Sequence, residues 1–234
     1  MMDDGATPTA PPLPVDYAGE TVWLLPERAL WWPAGRVLFV ADLHLGKAAT
    51  YRALGQPVPA GTTRENLARL SRLLLHYPPA QLVFLGDFLH AAAARTPSVL
   101  QALDAWRAQF AALDCVLVRG NHDSRAGDPP LSLGIRVVDE PWLVGPFAAC
   151  HHPQHHKTHA VIAGHLHPAV QLRGPGRDSL RLPCFCLELG LAIVPAFGEL
   201  TGGWRMPQQA GRRLYPVADS AVWHLPEPWP GESA

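Results

Sequence analysis

Residues 37–46 read VLFVADLHLG, an apolar run that ends in an Asp-x-His pair. A short continuous apolar run bounded by polar residues predicts a strand buried on both faces. Arg36–Val40 is therefore expected to be such a strand, presenting Asp42 and His44 at its carboxyl end. The same grammar recurs along the chain. Gln81–Leu85 ends in Gly86-Asp87, and Cys115–Val118 leads to Gly120-Asn121-His122-Asp123. Phe147–Cys150 runs into His151, and Ala160–Ala163 into Gly164-His165-Leu166-His167. Every one of these strands delivers metal-capable side chains at its carboxyl end, the edge where open α/β sheets bind ligands.

Outward from these strands, Leu67, Leu70, Leu73 and Leu74 recur at helical spacing and predict a helix over Thr62–His76, stopped by two prolines. A second helix is expected from Pro97 to Ala112, with proline in its first turn. Thr21–Leu25 and Ala29–Trp32 read as strands around a Pro-Glu-Arg turn. After residue 168 short apolar runs between Gly and Pro suggest antiparallel strands up to Trp223. Residues 1–17, rich in Pro, Ala, Thr and Asp at their start, are expected to be a disordered leader rather than a signal peptide. Residues 18–234 are then long enough for one large domain. No apolar run approaches the roughly 18 residues of a membrane span, so a soluble, cytoplasmic protein is expected. Cys115, Cys150, Cys184 and Cys186 form no C-x-x-C pair; the two at 184 and 186 share one strand face, which favours reduced, packed thiols over a zinc knuckle. The formal charge of −1 does not advertise a nucleic-acid binder, although bound cations can supply a field that global charge hides.

Asp42/His44 and His165/His167 are spaced i, i+2, so on an extended backbone each pair projects to one side and can converge on a metal. Asp87 and Asn121 each follow a glycine, which lets the chain turn sharply. Carboxylate, amide oxygen and imidazole without thiolate suit Mn, Fe, Zn or Co better than Ca or Mg alone. A carboxylate such as Asp87 can bridge two cations at about 3.5–4 Å separation.

The ordered series Asp42-x-His44, Gly86-Asp87, Gly120-Asn121-His122-Asp123, His151 and Gly164-His165-x-His167 resembles the calcineurin-like metallophosphoesterase superfamily. The longer strings ADLHLGKAATYRALGQPVP, LGDFLHA, HHP, GHLHP, LPCF and PAFGELTGG resemble its bacterial ligase-associated, DNA-damage-response branch. The resemblance implies an α/β fold, a four-layer α/β/β/α sandwich of two mixed sheets flanked by helices. It implies two divalent ions, Mn2+ first and Zn2+ or Fe2+ as substitutes. Asp42, His44 and His167 would hold one ion and Asn121, His151 and His165 the other, with Asp87 between them. His122 would face the scissile phosphate as a catalytic group. The activity implied is cleavage of DNA phosphodiesters, preferably single-stranded, by a water activated between the ions, in the company of a DNA ligase and a helicase.

The chain departs from that pattern at His90, where many relatives place an acid that orients the catalytic histidine; His90 is left as a neighbour of that histidine or a phosphate contact. His152 adjoins His151, and strand-end logic favours His151. Position beside the first motif favours Arg52, ahead of Lys47, as a phosphate contact. Trp31, Trp32 and Trp204 are expected to pack rather than stack bases, because aromatic residues favour cores. His155, His156 and His159 read as loop residues. Taken singly, Gly-Asp is a turn and Asp-x-His is surface polarity; their ordered recurrence after apolar runs is what points to a site. Against a DNA nuclease stand a small-molecule phosphodiesterase or phosphatase and a non-catalytic scaffold, and fold alone does not choose among them.

Overall fold

The computed structural model describes residues 11–58, 61–173, 178–218 and 220–226. Its first sheet contains β1 (Leu13–Tyr17), β2 (Glu20–Leu25), β3 (Ala29–Trp32), β4 (Val37–Val40), β5 (Gln81–Leu85), β6 (Asp114–Val118) and β7 (Arg136–Val138), side by side in that order. The strands from β1 to β4 pair antiparallel, as short turns allow. From β4 to β7 the pairing is parallel, which needs crossovers. Those crossovers carry α1 (Lys47–Ala53), α2 (Thr62–His76), α3 (Pro97–Gln109) and α4 (Asn121–Ala126).

The helix expected over Thr62–His76 occupies those residues, and Leu67, Leu70, Leu73 and Leu74 are its buried face. α3 starts with Pro97 behind Thr96, whose hydroxyl accepts the Val99 N–H. It ends at Gln109, short of the expected Ala112. The Arg107 guanidinium there gathers the carbonyls of Phe110, Ala111, Leu113 and Leu133, satisfying acceptors that a longer helix would have used.

The leader expected over residues 1–17 is corrected at its C-terminal end. Leu13–Tyr17 is β1, in register with β2; residues 1–10 lie outside the described residues. Alternation decides it: Leu13, Val15 and Tyr17 face inward while Pro14 and Asp16 face water.

The second sheet is built from β8 (Trp142–Val144), β9 (Phe147–Ala149), β10 (Ala160–Ala163), β11 (Pro168–Arg173), β12 (Ser179–Glu188), β13 (Leu191–Ile193), β14 (Trp204–Arg205), β15 (Arg213–Ala218) and β16 (Ala221–Val222). Its order is β14-β11-β12-β13-β10-β9-β8, with β15 and β16 attached at β12. The expected antiparallel pairs beyond residue 168 are present, but β13 runs parallel to β10 and β14 parallel to β11. Both sheets are thus mixed, as expected.

Phe39, Val83, Leu85 and Val118 of the first sheet meet Phe147, Ile162, Phe185 and Leu187 of the second in the central core. On the other face of the first sheet, Leu38, Phe84 and Leu117 pack under α2 and α3. Among the described residues every α-helix lies between Lys47 and Ala126. The outer face of the second sheet instead carries Ala148, Val161, Ile193 and Met206, with Cys184 and Cys186 on that one face as their spacing requires. All four cysteines are buried free thiols. No helix among the described residues is long and apolar enough to cross a membrane.

The sheets are stitched together at the carboxyl end of β4. Phe197 and Gly198, in the segment after β13, donate backbone N–H groups to the carbonyls of Ala41 (2.8 Å) and Asp42 (3.1 Å). Farther along, the Tyr17 hydroxyl donates to the Val161 carbonyl at 2.6 Å, and its ring stacks on Phe147 at 5.8 Å between centroids. Replacing Tyr17 is therefore expected to loosen the two-sheet core. Tyr17→Ala should cost about 3–5 kcal/mol by chemical denaturation, the range for a large aromatic truncated in a core. Tyr17→Phe should cost about 1 kcal/mol, one buried hydrogen bond. Two variants indistinguishable from wild type would return residue 17 to a leader.

Candidate metal centre

The strand ends bring the expected residues together, but with a backbone that spacing did not foretell. Asp42, His44, Asp87, His165 and His167 all have φ between 46° and 69°. The left-handed conformation, not an extended one, makes each Asp-x-His or His-x-His pair converge. For a residue with a Cβ it costs about 1–2 kcal/mol, and such strain gathers where a function demands it. Gly86 is needed twice over. Its φ is +79°, and a Cβ there would stand 2.1 Å from His151 Nδ1. Gly120 is needed for space alone, since its Cβ would meet Asp87 Oδ1 at 2.3 Å.

Asp42, His44 and His167 form one cluster of convergent ligand atoms, and Asp42, Asp87 and His151 form another. In the first, His44 Nε2 faces His167 Nε2 at 3.2 Å, and Asp42 Oδ1 lies 3.6 Å from that same nitrogen. In the second, His151 Nε2 is surrounded by Asn121 Oδ1 at 2.9 Å, His165 Nδ1 at 3.0 Å and Asp87 Oδ1 at 3.4 Å. Asp87 lies between the two, with its other oxygen 3.7 Å from His44 Nε2. All seven expected ligands are in these groups. Of the two adjacent histidines, His151 is fully buried and aims Nε2 at Asn121, whereas His152 Nδ1 is engaged by Glu140 at 2.7 Å.

The donor set fits divalent cations. His151 Nδ1–H donates to the Leu85 carbonyl and His167 Nδ1–H to that of Gly202, both at 3.0 Å. In a neutral ring the opposite Nε2 is then a lone pair. The His151 lone pair then faces the Asn121 and Asp87 oxygens and that of His167 faces Asp42, so acceptors confront acceptors at both places. Asp42 is fully buried and its Oδ1 has no hydrogen-bond partner, a costly state for a carboxylate unless a cation meets it. Burial pushes the His44 imidazole far below its ordinary range, aided by Lys47 and neighbouring histidines, so it stays neutral and able to ligate. Burial opposes charge on His167 too, but the Asp42 carboxylate outweighs it and the net shift is upward.

His122 stands beside this centre, its Nε2 3.9 Å from Asp87 Oδ2. Its Nδ1–H donates to the backbone carbonyl of His90 at 2.7 Å, which fixes the tautomer. The His90 ring stacks on it at 5.1 Å and 22°. Burial first, then Lys47 and His122, lower the His90 pKa to about 4, so the stacked ring is neutral. His90 thus orients the histidine through its main chain.

Residues 35–149 match the calcineurin-like phosphoesterase family. The crystal structure of Pseudomonas putida nuclease MPE is 49% identical to this chain, covers 92% of it and 100% of its own length, and superposes with a TM-score of 0.81. The chain belongs to the calcineurin-like phosphoesterase family. A phosphoesterase from E. coli, Yfce, matches at 16% identity over 80% of this chain and 95% of its own, with a TM-score of 0.39, too slight a likeness to carry an argument. No curated protein matches the chain.

Two residues of this centre stand out in the fold more than in the sequence. Asp123 is fully buried and accepts the N–H groups of Phe88 (2.9 Å), Leu89 (3.3 Å) and Gly120 (3.0 Å). It ties the Asp87 loop to the Asn121 loop. Burial raises its pKa to about 6 even though the three N–H groups pull it down. Lys47 is the other. Position favoured Arg52, which stands exposed in the last turn of α1; the fold turns Lys47 inward, 9% exposed and coupled to Asp87 and Asp42. The expectation for the loop histidines fits in part: His155 is exposed, while the half-buried His156 accepts the N–H of His159.

Asp123→Ala would strand three buried N–H donors, each worth about 1–3 kcal/mol when unpaired. The variant is expected to lose about 3 kcal/mol or more in denaturant unfolding, and with it the alignment of Asp87 and Asn121. A loss under about 1 kcal/mol would mean the two loops hold their places without that carboxylate.

Proposed function

We propose that this protein is a metal-dependent nuclease that hydrolyses DNA phosphodiesters, single strands in preference, acting in the cytoplasm in DNA repair beside a DNA ligase and a helicase. The observation that carries the reading is the buried Asp87 carboxylate standing between His44 Nε2 (3.7 Å) and His151 Nε2 (3.4 Å), in a chain 49% identical to a nuclease over nearly its whole length. In this reading Asp42, His44 and His167 hold one ion and Asn121, His151 and His165 the other, with Asp87 common to both. Mn2+ suits this oxygen–nitrogen set, and Zn2+ or Fe2+ are the alternatives. Two such cations would supply Lewis acidity, lowering the pKa of bound water and stabilising charge on the attacking and leaving oxygens. Two aspartates against two dications leave about two positive charges to draw an anionic diester.

The protein's own part is positional. Asp87 accepts the His122 backbone N–H at 2.9 Å, which sets His122 at the rim of the centre. With Nδ1–H committed to the His90 carbonyl, His122 Nε2 is the atom left to face a scissile phosphate, where in the imidazolium form its proton would pass to the leaving oxygen and leave the neutral ring behind. Its side chain is 31% exposed, so a polymeric substrate can reach it from solvent.

The decisive experiment incubates metal-stripped protein with circular single-stranded DNA and linear duplex, adding Mn2+, Zn2+, Mg2+ or nothing. A circle has no ends, so its cleavage reports endonuclease action. Mn2+-dependent nicking is expected, and Asp87→Ala should reduce it to background while weakening both metal sites. His122→Ala should keep its metals and slow cleavage by about 10²–10⁴-fold; metal loss in that variant would remove its assigned role. Intact DNA alongside hydrolysis of an aryl phosphodiester would instead favour a small-molecule phosphodiesterase, and inertness toward both would favour a scaffold.

A further inference from the structure

A cavity of about 150 Å³ opens off the His167 side of the candidate metal centre. At roughly 30 Å³ for each water in the liquid, it has room for about five waters, the size of one phosphate group. Its wall includes Arg28, His167, Arg181, Thr201, Gly202 and Gly203, and no carboxylate. The larger cavity on the Asn121 side, about 450 Å³, differs in this respect: Asp139 and Glu140 stand in its wall beside Arg119 and Arg125. Of these two cavities only the smaller has guanidinium groups unmixed with acids.

One face of a strand pair and one turn build the smaller cavity. Between β11 and β12 the register pairs Ala169 with Pro183 and Gln171 with Arg181. Side chains alternate along a strand, so Arg181 shares its face with Ala169 and Pro183, both of which line the cavity. The turn at residues 201–203 lies against that face. A Cβ on Gly203 would stand 2.7 Å from the Ala169 Cβ, with Arg181 Nε next at 3.6 Å, so the close approach requires a glycine. The Gly202 carbonyl is taken by His167 Nδ1–H at 3.0 Å, and the Thr201 hydroxyl donates to the Gly198 carbonyl at 3.2 Å. The N–H groups of Thr201, Gly202 and Gly203, by contrast, meet no acceptor among the described residues. Trp204, expected to pack, is instead 65% exposed, unlike Trp31 and Trp32 at 7% and 8%. It pairs with Pro168, out of step with Ala169, and takes no part in the cavity.

The two guanidinium groups differ. Arg28 is held by Glu199, which also binds Arg69, so that trio keeps a net positive charge. Arg181 is exposed, and no hydrogen bond or ion pair joins it to another described residue. A guanidinium fork without a partner, beside backbone N–H groups without acceptors, is a donor set that phosphate oxygens match. We propose that this cavity holds the backbone phosphate next to the scissile one, with Arg181 as its main partner and Arg28 and the turn at 201–203 as further donors. This inference rests on the nuclease reading. It commits the strand to the His167 side of the centre and gives preference for a polymer over an isolated diester a physical source.

The full-length wild-type, Arg181→Ala and Arg181→Lys proteins would be compared, all with Mn2+, on bis(p-nitrophenyl) phosphate and on a 3′-fluorescein oligothymidylate with and without a 5′ phosphate. Oligonucleotide affinity of the metal-free proteins would be followed by fluorescence anisotropy across a salt series. In Arg181→Ala the ratio of kcat/KM on either oligonucleotide to that on the small diester should fall about tenfold, with partial recovery in Arg181→Lys. The slope of log affinity against log salt should shrink by about 0.7, one phosphate contact to a single strand. A loss confined to the 5′-phosphorylated oligonucleotide would overturn the assignment in favour of a terminal phosphate. Unchanged ratios and slopes, with DNA still cut, would overturn the subsite and leave the nuclease reading standing. Equal losses on oligonucleotide and diester would also overturn it, since Arg181 would then act on the metal centre. If the wild-type protein hydrolyses the diester but neither binds nor cuts the oligonucleotides, the nuclease reading itself fails and takes the subsite with it.

Discussion

Asp42 and Asp87 are carboxylates beyond the reach of water, 0% and 2% exposed, at the ends of neighbouring parallel strands. Removing such charges from solvent is affordable only with hydrogen bonds and countercharge, and the surrounding backbone supplies the first. Asp42 receives the N–H of His165 at 2.9 Å, from the other sheet. Asp87 receives that of His122, and Asp123 returns the contact by holding the N–H groups of Phe88 and Leu89. Each motif thus fixes a residue of another, and the centre is a single cross-linked object although its parts come from five strand ends. The carboxylate oxygens and ring nitrogens left over converge within a few ångströms, an arrangement that divalent cations would complete.

That cross-linking also explains how the strained backbone persists. Five candidate ligand residues in the left-handed region cost roughly 5–10 kcal/mol together, comparable with the whole net stability of a domain. Only surroundings that over-determine each conformation can hold it. Tight packing around Gly86 and Gly120, the Gly198 N–H on the Asp42 carbonyl and the His44 N–H on the Asp87 carbonyl (2.8 Å) do so here. Binding of cations would offset the remaining cost, so metal affinity and fold stability are linked in this molecule.

The sequence shows what depends on local pattern and hides what depends on distant contact. α2 spans the residues its leucine spacing indicates, and the strands ending near Asp42, Asp87 and Asn121 are visible because a buried strand reads as a plain apolar run. β1 was harder to see: its inward residues are separated by Pro14 and Asp16, and its partner is made only by the turn at Gly19. The candidate ligand residues are legible as a set, but their convergence depends on left-handed backbone that i, i+2 spacing does not announce. Asp123 looked like the tail of a motif because its three partners lie in loops up to 35 residues away. Trp204 looked like core because composition cannot tell an edge strand from a central one.

His90 shows how a missing group can be replaced by geometry. A carboxylate orienting His122 would add a negative charge a few ångströms from a centre built to attract an anion. The His90 carbonyl holds the same imidazole nitrogen at 2.7 Å without that charge. The His90 side chain is neutral, since burial and the nearby Lys47 ammonium keep it unprotonated. The Lys47 charge is felt by Asp42 and Asp87 and is not cancelled by an acid at position 90. The substitution therefore keeps the orientation of the histidine while leaving the field over the centre more positive.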